Sequence, residues 1–339
     1  MNPTRRVTVL LIGIAISGLF LWIAGRDVQI GDILQSMRQT NLIAVLPFTF
    51  CLLIFYLVRT YRWKVLLSPV SNVTTRELLG PVLIGYGGNF ILPFQLGEVA
   101  RTVAAIDRTR LSFMPIAFSI LVERVFDFVV ILAALSVALL AHDGLPAFVA
   151  TFGIGVGVAV GLAIALIALF VTRTERTLET LKAATAFLPH KMHMEVVNQL
   201  RVGATGLESF RSPRVLLIAA VTSIVQWWFI ALCIWISLLA INLVVPITII
   251  LLILALIVLG SSIPTAPGYL GSFQAGYVIG IEAMHGDPSQ AITASIFYHA
   301  IYAVSALLLG AFALKRSGLD WTTLTNPGNK DAKRPVRGK

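Results

Sequence analysis

Between Asn89 and Asp127 the chain reads NFILPFQLGEVARTVAAIDRTRLSFMPIAFSILVERVFD. This stretch is apolar enough for a bilayer, yet it carries Glu98, Arg101, Glu123, Arg124 and Asp127. Gly87 and Gly88 precede it, and Pro93 and Gly97 break it. Charges at membrane depth are costly and persist there when they serve a function and are paired. Irregular backbone at that depth needs cover from protein or a water-filled cavity. A second break of the same kind, IPTAPGYLGSFQAG, spans 263–276.

The rest of the chain supports a membrane setting. Of its 339 residues 57% are hydrophobic and only 12% are charged. A soluble domain holds about 25% charged residues. A spanning helix needs roughly 20 apolar residues. By that measure there are six spans, at about 7–25, 41–58, 112–141, 147–172, 214–240 and 290–314. Two further apolar segments, 77–107 and 246–284, are interrupted near their middles. The expected fold is an all-α polytopic membrane protein: six full transmembrane helices plus two broken re-entrant hairpins. The expected organisation is one transmembrane domain over 1–316. Its halves are about 1–172 and 214–316, joined by a cytoplasmic connector at 173–213 with helical spacing, and a basic, disordered tail follows at 317–339.

The net charge of +10 does not call for nucleic acid, because the basic residues gather in loops and no aromatic interleaving accompanies them. Arg59, Arg62, Lys64 and Arg76 fall on one side of the predicted topology, as do the connector and the tail. The loops at 142–146, 241–245 and 285–289 are poor in Lys and Arg. By the positive-inside rule both termini are cytoplasmic, in the inner membrane. The segment 77–107 then enters from the cytoplasm and 246–284 from the opposite face. Interrupted segments in corresponding positions of two halves suggest an inverted repeat and point to a transporter's binding site. Pro93 and Gly97 have the same spacing as Pro267 and Gly271. Two ordinary helical hairpins with Pro and Gly turns fit the same residues.

Glu123 and Asp127 are four apart and share a helix face, while Arg124 lies about 100° round. Glu98 and Arg101 are three apart and can pair with each other or with the second group. Arg59 and Arg62 close the second span. The group reads either as a buried network locking helices together or as a polar cavity for a charged headgroup, in which arginine suits phosphate because its planar fork donates two parallel hydrogen bonds. The candidate binding residues are Arg62, Asn89, Glu98, Arg101, Glu123, Arg124, Asp127 and Gln274. Pro93, Gly97, Pro267, Gly268 and Gly271 are candidates for hinges or for close backbone approach to a ligand. Trp227, Trp228 and Trp235 read as packing residues. Cys51 and Cys233 lie in apolar runs, so neither a disulfide nor a metal site is expected, and no cofactor. No phosphate loop, nucleophile elbow or dinucleotide fingerprint is present.

The motifs Arg62-Trp63-x-x-Leu66-Leu67, Asn89-x-x-Leu92-Pro93-x-x-x-Gly97-Glu98-x-x-Arg101, Glu123-Arg124-x-x-Asp127 and Pro264-x-x-Pro267-Gly268-x-Leu270-Gly271 occur in that order. Together they resemble the lysylphosphatidylglycerol synthase transmembrane-region family, over roughly 10–315. The resemblance implies a flippase-like domain moving an anionic or aminoacylated phospholipid, or a polyprenyl-phosphate-linked lipid, between leaflets. The soluble synthase domain is not expected here. Gln274 stands where the family often has Glu. A membrane lipid is the expected partner, with a homo-oligomer or a separately encoded lipid-modifying enzyme as further partners. The alternatives are a membrane-embedded transferase acting on a lipid-linked sugar and a small-solute or ion-coupled transporter.

Overall fold

In the computed structural model, residues 15–22, 24–25, 28, 30–92, 95–142, 145–172, 194, 212–263 and 267–319 are described. Residues 7–14 and 23 of the expected first span, nearly all of the 173–213 connector, Pro93 and the tail beyond 319 lie outside them. The described residues are helical, with no strand among them. Residues 15–22 are helical. The ten longer helices that follow are α1 (Ile30–Arg38), α2 (Val45–Leu67), α3 (Thr75–Ile91), α4 (Gly97–Thr109), α5 (Phe113–Ala141), α6 (Ala147–Thr172), α7 (Pro213–Leu239), α8 (Ile247–Ser262), α9 (Ser272–Glu282) and α10 (Pro288–Ser317).

Five helices are long and apolar enough to cross a bilayer: α2 with its preceding turn, α5, α6, α7 and α10. At 1.5 Å per residue the 29 residues of α5 reach about 44 Å. The arms of the two broken segments are too short to cross. They have 17 and 13 residues in α3 and α4, and 16 and 11 in α8 and α9. The protein is therefore an all-α polytopic membrane protein with two helical hairpins among its spans.

The two hairpins break by the same device. α3 stops at Leu92 and α8 at Ile263; both residues are extended, and each precedes a proline. A following proline disfavours helical dihedrals at the residue before it. The second break then turns through Gly268 and Gly271, with φ of 76° and 91°, a region open chiefly to glycine.

One expected boundary is corrected. The second span does not end at 58: α2 runs on to Leu67 and carries Arg59, Arg62 and Lys64 inside the helix. Arg59 and Arg62 are fully buried and paired, so charge does not terminate the span here. The short helix α1 is an addition in the 26–40 loop. Its apolar residues Ile30, Leu34 and Met37 fall three or four apart and are exposed on one side.

Helix packing follows a regular scheme. α2 lies along α7, α3 along α10 and α8 along α5, and each hairpin folds on itself. Exchanging α2 with α7, α3 with α8, α4 with α9 and α5 with α10 turns each of these pairs into another packed pair. The α2/α3, α4/α5 and α2/α5 contacts likewise become α7/α8, α9/α10 and α7/α10. Small residues allow the closest approaches. A Cβ on Gly87 would stand 2.9 Å from the Ala306 carbonyl oxygen, and one on Gly310 would stand 3.0 Å from the Cα of Gly87. Bilayer helices associate through such small-residue seams because burial against lipid gives no hydrophobic gain.

Candidate functional site

Three helices of the first half bring the charges together. Arg59 and Arg62 share a face of α2, Glu98 and Arg101 a face of α4, and Glu123 and Asp127 a face of α5. Asp127 is the most fully satisfied. Its Oδ1 accepts from Arg62 Nη1 at 2.7 Å, Gln226 Nε2 at 2.7 Å and Trp227 Nε1 at 2.9 Å, and its Oδ2 accepts from Arg59 Nη1 at 3.3 Å. Oδ1 is thus crowded with three donors, while Oδ2 has one. Arg62 Nη1 also donates to Ser223 Oγ at 2.7 Å.

Glu123 is buried under three guanidiniums, with Arg101 at 2.8 Å, Arg62 at 3.6 Å and Arg59 at 4.0 Å. Arg101 lies over the Trp63 ring, 3.7 Å from its centroid, and Trp63 Nε1 donates to Ser119 Oγ at 2.9 Å. A guanidinium on an aromatic face is attracted by the ring quadrupole. Removing any one partner would leave a buried charge uncompensated, at about 3–5 kcal/mol. Glu98 differs: it pairs with Arg101 at 3.5 Å and with Arg124 at closer range. The side chains of Glu98 and Arg124 are 24% and 34% exposed, against 0–3% for the others. This pair alone among the described ion pairs of the cluster is open to a ligand.

It opens into a cavity of about 440 Å³. Arg59, Glu98, Arg124 and Asp127 line its ionic end, and Tyr86, Tyr269, Phe273, Tyr298 and Tyr302 line its aromatic wall. The cavity also touches both breaks. Gln95 and Leu92 reach it from the first, and Ser261, Ser262 and Ile263 from the second. Gln95 Nε2 donates to the Ser261 carbonyl oxygen at 2.6 Å, tying the two hairpin tips together.

The candidates from sequence fall into three groups. Asn89, Glu98, Arg124 and Asp127 line the cavity. Arg62, Arg101 and Glu123 form the charged layer behind it and are no more than 2% exposed. Gln274, Gly97, Pro267, Gly268 and Gly271 do neither. Gln274 Oε1 accepts from the Gly271 backbone N–H at 2.8 Å and caps α9. A Cβ on Gly97 would collide with Gly85 and Asn89 of the facing helix, one on Gly268 would press the Phe90 ring, and one on Gly271 would meet Ser17 and Phe20. Pro267 opens the short turn before α9. These glycines let helices approach one another; protein fills the space above each.

Sequence reading left out several lining residues. Arg59 stands where charge suggests a span end, and Trp227, whose apolar run suggests packing, donates its indole N–H to Asp127. Ser223, Gln226 and Trp227 are spaced three and four apart in an otherwise apolar helix, which was the available signal. Gln95 and the tyrosines carried none.

Fold and site together define a polytopic membrane protein whose helices enclose a charged, aromatic-walled cavity. Residues 10–310 match the lysylphosphatidylglycerol synthase TM region, and the chain belongs to that family, which ties it to membrane lipid. Comparison with curated proteins and with solved structures gave no match.

Proposed function

We propose that the chain is a lipid transporter of the inner membrane. It moves an anionic or aminoacylated phospholipid, or a polyprenyl-phosphate-linked lipid, between leaflets. The cavity carries this reading: an ionic, tyrosine-rich chamber lies between the tips of two hairpins that do not cross the bilayer. Its volume falls in the range of small-ligand sites, roughly 300–1,000 Å³, which suits a headgroup while acyl chains stay in the bilayer. Arg124 is the phosphate contact, and Arg59 lies buried behind it at the ionic end. Glu98 holds Arg124 until the phosphate arrives, and the buried layer of Arg62, Arg101, Glu123 and Asp127 keeps the arginines in place. Asn89 contacts the headgroup, and Gln274 acts by shaping the second break.

The exchange relation among packed helices supports an inverted repeat, with the two hairpins entering from opposite faces. The basic loops support cytoplasmic termini. Rocking of one half against the other would open the chamber alternately to each leaflet.

The test is direct. The protein in vesicles should speed exposure of a fluorescent phospholipid to an impermeant quencher. Arg124→Ala and Glu98→Ala should each slow this by about tenfold, the loss of one charge-assisted contact of 1.5 kcal/mol or so. An unchanged rate in both variants would sink the reading.

A further inference from the structure

Charge balance narrows the ligand, given the transport reading above. Seven ionisable side chains meet at the inner end of the cavity. Arg59, Arg62, Arg101 and Arg124 face Glu98, Glu123 and Asp127. Arginine keeps its proton in proteins. Each carboxylate has at least two guanidiniums within 4.0 Å, so three carboxylates face four guanidiniums. One positive charge remains. No other Lys, Arg, Asp, Glu or His among the described residues lines the cavity.

The geometry also locates the excess. Arg59 and Arg62 each face both Glu123 and Asp127, and Arg101 faces both Glu123 and Glu98. Arg124 has Glu98 alone, a carboxylate it shares with Arg101, and it is the most exposed of the seven. Its guanidinium has five N–H donors, more than one shared carboxylate can accept. No carboxylate gives a cationic headgroup such an opening. Asp127 already accepts four hydrogen bonds, and Glu98 is held by two arginines. Beyond the charges the wall offers hydroxyls and amides: Tyr86, Tyr269, Tyr298, Tyr302, Asn89 and Gln95.

We infer that the site takes a lipid phosphodiester with one net negative charge, its phosphate on Arg124 and the rest of its headgroup an uncharged polyol against the tyrosines. A zwitterionic headgroup leaves the excess positive charge unneutralised in a low-dielectric chamber. A lysyl-ester headgroup, with two ammonium groups to one phosphate, adds a second. Of the lipid classes admitted by the transport reading, the aminoacylated one is thereby disfavoured.

Competition among lipids tests this. The full chain is reconstituted with equal amounts of phosphatidylglycerol, phosphatidylcholine and the lysine ester of phosphatidylglycerol. It is then extracted in mild detergent, and the retained lipid is quantified by mass spectrometry. Phosphatidylglycerol should be enriched about tenfold or more over each of the others, since an uncompensated buried charge costs at least that factor. Arg124→Gln removes the excess and should bring phosphatidylglycerol to near parity with phosphatidylcholine. Glu98→Gln raises the excess to two, and should favour phosphatidic acid when that dianion is added to the mixture.

Parity of the three lipids in the unaltered protein, or preference for either competitor, overturns the inference whatever the variants do. The transport reading survives that result if vesicles still show accelerated lipid exposure, and falls if they show none for any lipid. Water-soluble glycerophosphoglycerol at equal concentration should leave the retained lipid in place. Its displacement would assign the site to a soluble phosphodiester and overturn the lipid part of the inference.

Discussion

At the scale of single residues, the site separates stability from activity. Glu123 and Asp127 anchor buried arginines, so Glu123→Ala or Asp127→Ala should destabilise the protein by about 3–5 kcal/mol, seen as a large fall in the midpoint of thermal unfolding in detergent. Trp63→Leu removes the ring beneath Arg101 without reaching the cavity. With the cavity it leaves and the lost bond to Ser119, it should cost about 3–5 kcal/mol in the same measurement. Arg124→Gln touches a partly exposed pair and should shift stability by no more than about 1 kcal/mol. Its effect should appear in lipid transport. All seven charges except Arg59 could be chosen from sequence, because an ionisable side chain in an apolar run has few places to go. Arg59 and Arg62 looked like a span's end, since charge usually marks where the bilayer stops. The pairing that keeps them inside comes from carboxylates more than 60 residues away.

At the scale of elements, the two hairpins were legible and their glycines were misleading. Proline after Leu92 and Ile263 predicts where a helix must stop, and both stop there. A glycine says only that something approaches closely, and sequence does not tell whether the visitor is a ligand or another helix. Here Gly97 lies against α3, and Gly87 against α10. Gly310→Val should therefore push α10 from α3 and cost about 1–3 kcal/mol by overpacking, read from thermal unfolding. Side chains whose role depends on a neighbour's backbone gave no sequence signal. Gln95 is the case in point. Gln95→Ala removes the bond between hairpin tips, worth about 1 kcal/mol. Amide exchange at Leu96 and at Ser261–Ile263 should then quicken by about fivefold.

At the scale of the whole molecule, the proposed inverted repeat makes a topological prediction. A cysteine replacing Arg110, at the open end of the first hairpin, should react with an impermeant thiol reagent from the cytoplasmic side only. One replacing Val244, before the second hairpin, should react from the outer side only. Cys51 and Cys233 are both buried, which keeps background labelling low. Labelling of both positions from one side would refute the inverted arrangement. The overall class was legible because hydropathy and length alone decide it. The partnership of α2 with α7 was not, since it joins helices about 150 residues apart and leaves no local trace. Asp127 shows what that partnership means during synthesis. Two of its four donors, Arg59 and Arg62, are made before it. The other two, Gln226 and Trp227, are made about 100 residues after it. A nascent chain that has completed only α6 therefore holds a half-solvated carboxylate in the bilayer, and the arrival of α7 completes its shell. Completion of the Asp127 shell should therefore depend on the two parts of the chain coming together. Two pieces separately encoded by a break between 172 and 213 should assemble when made together, whereas the first piece alone would be left incomplete for quality-control proteases to find.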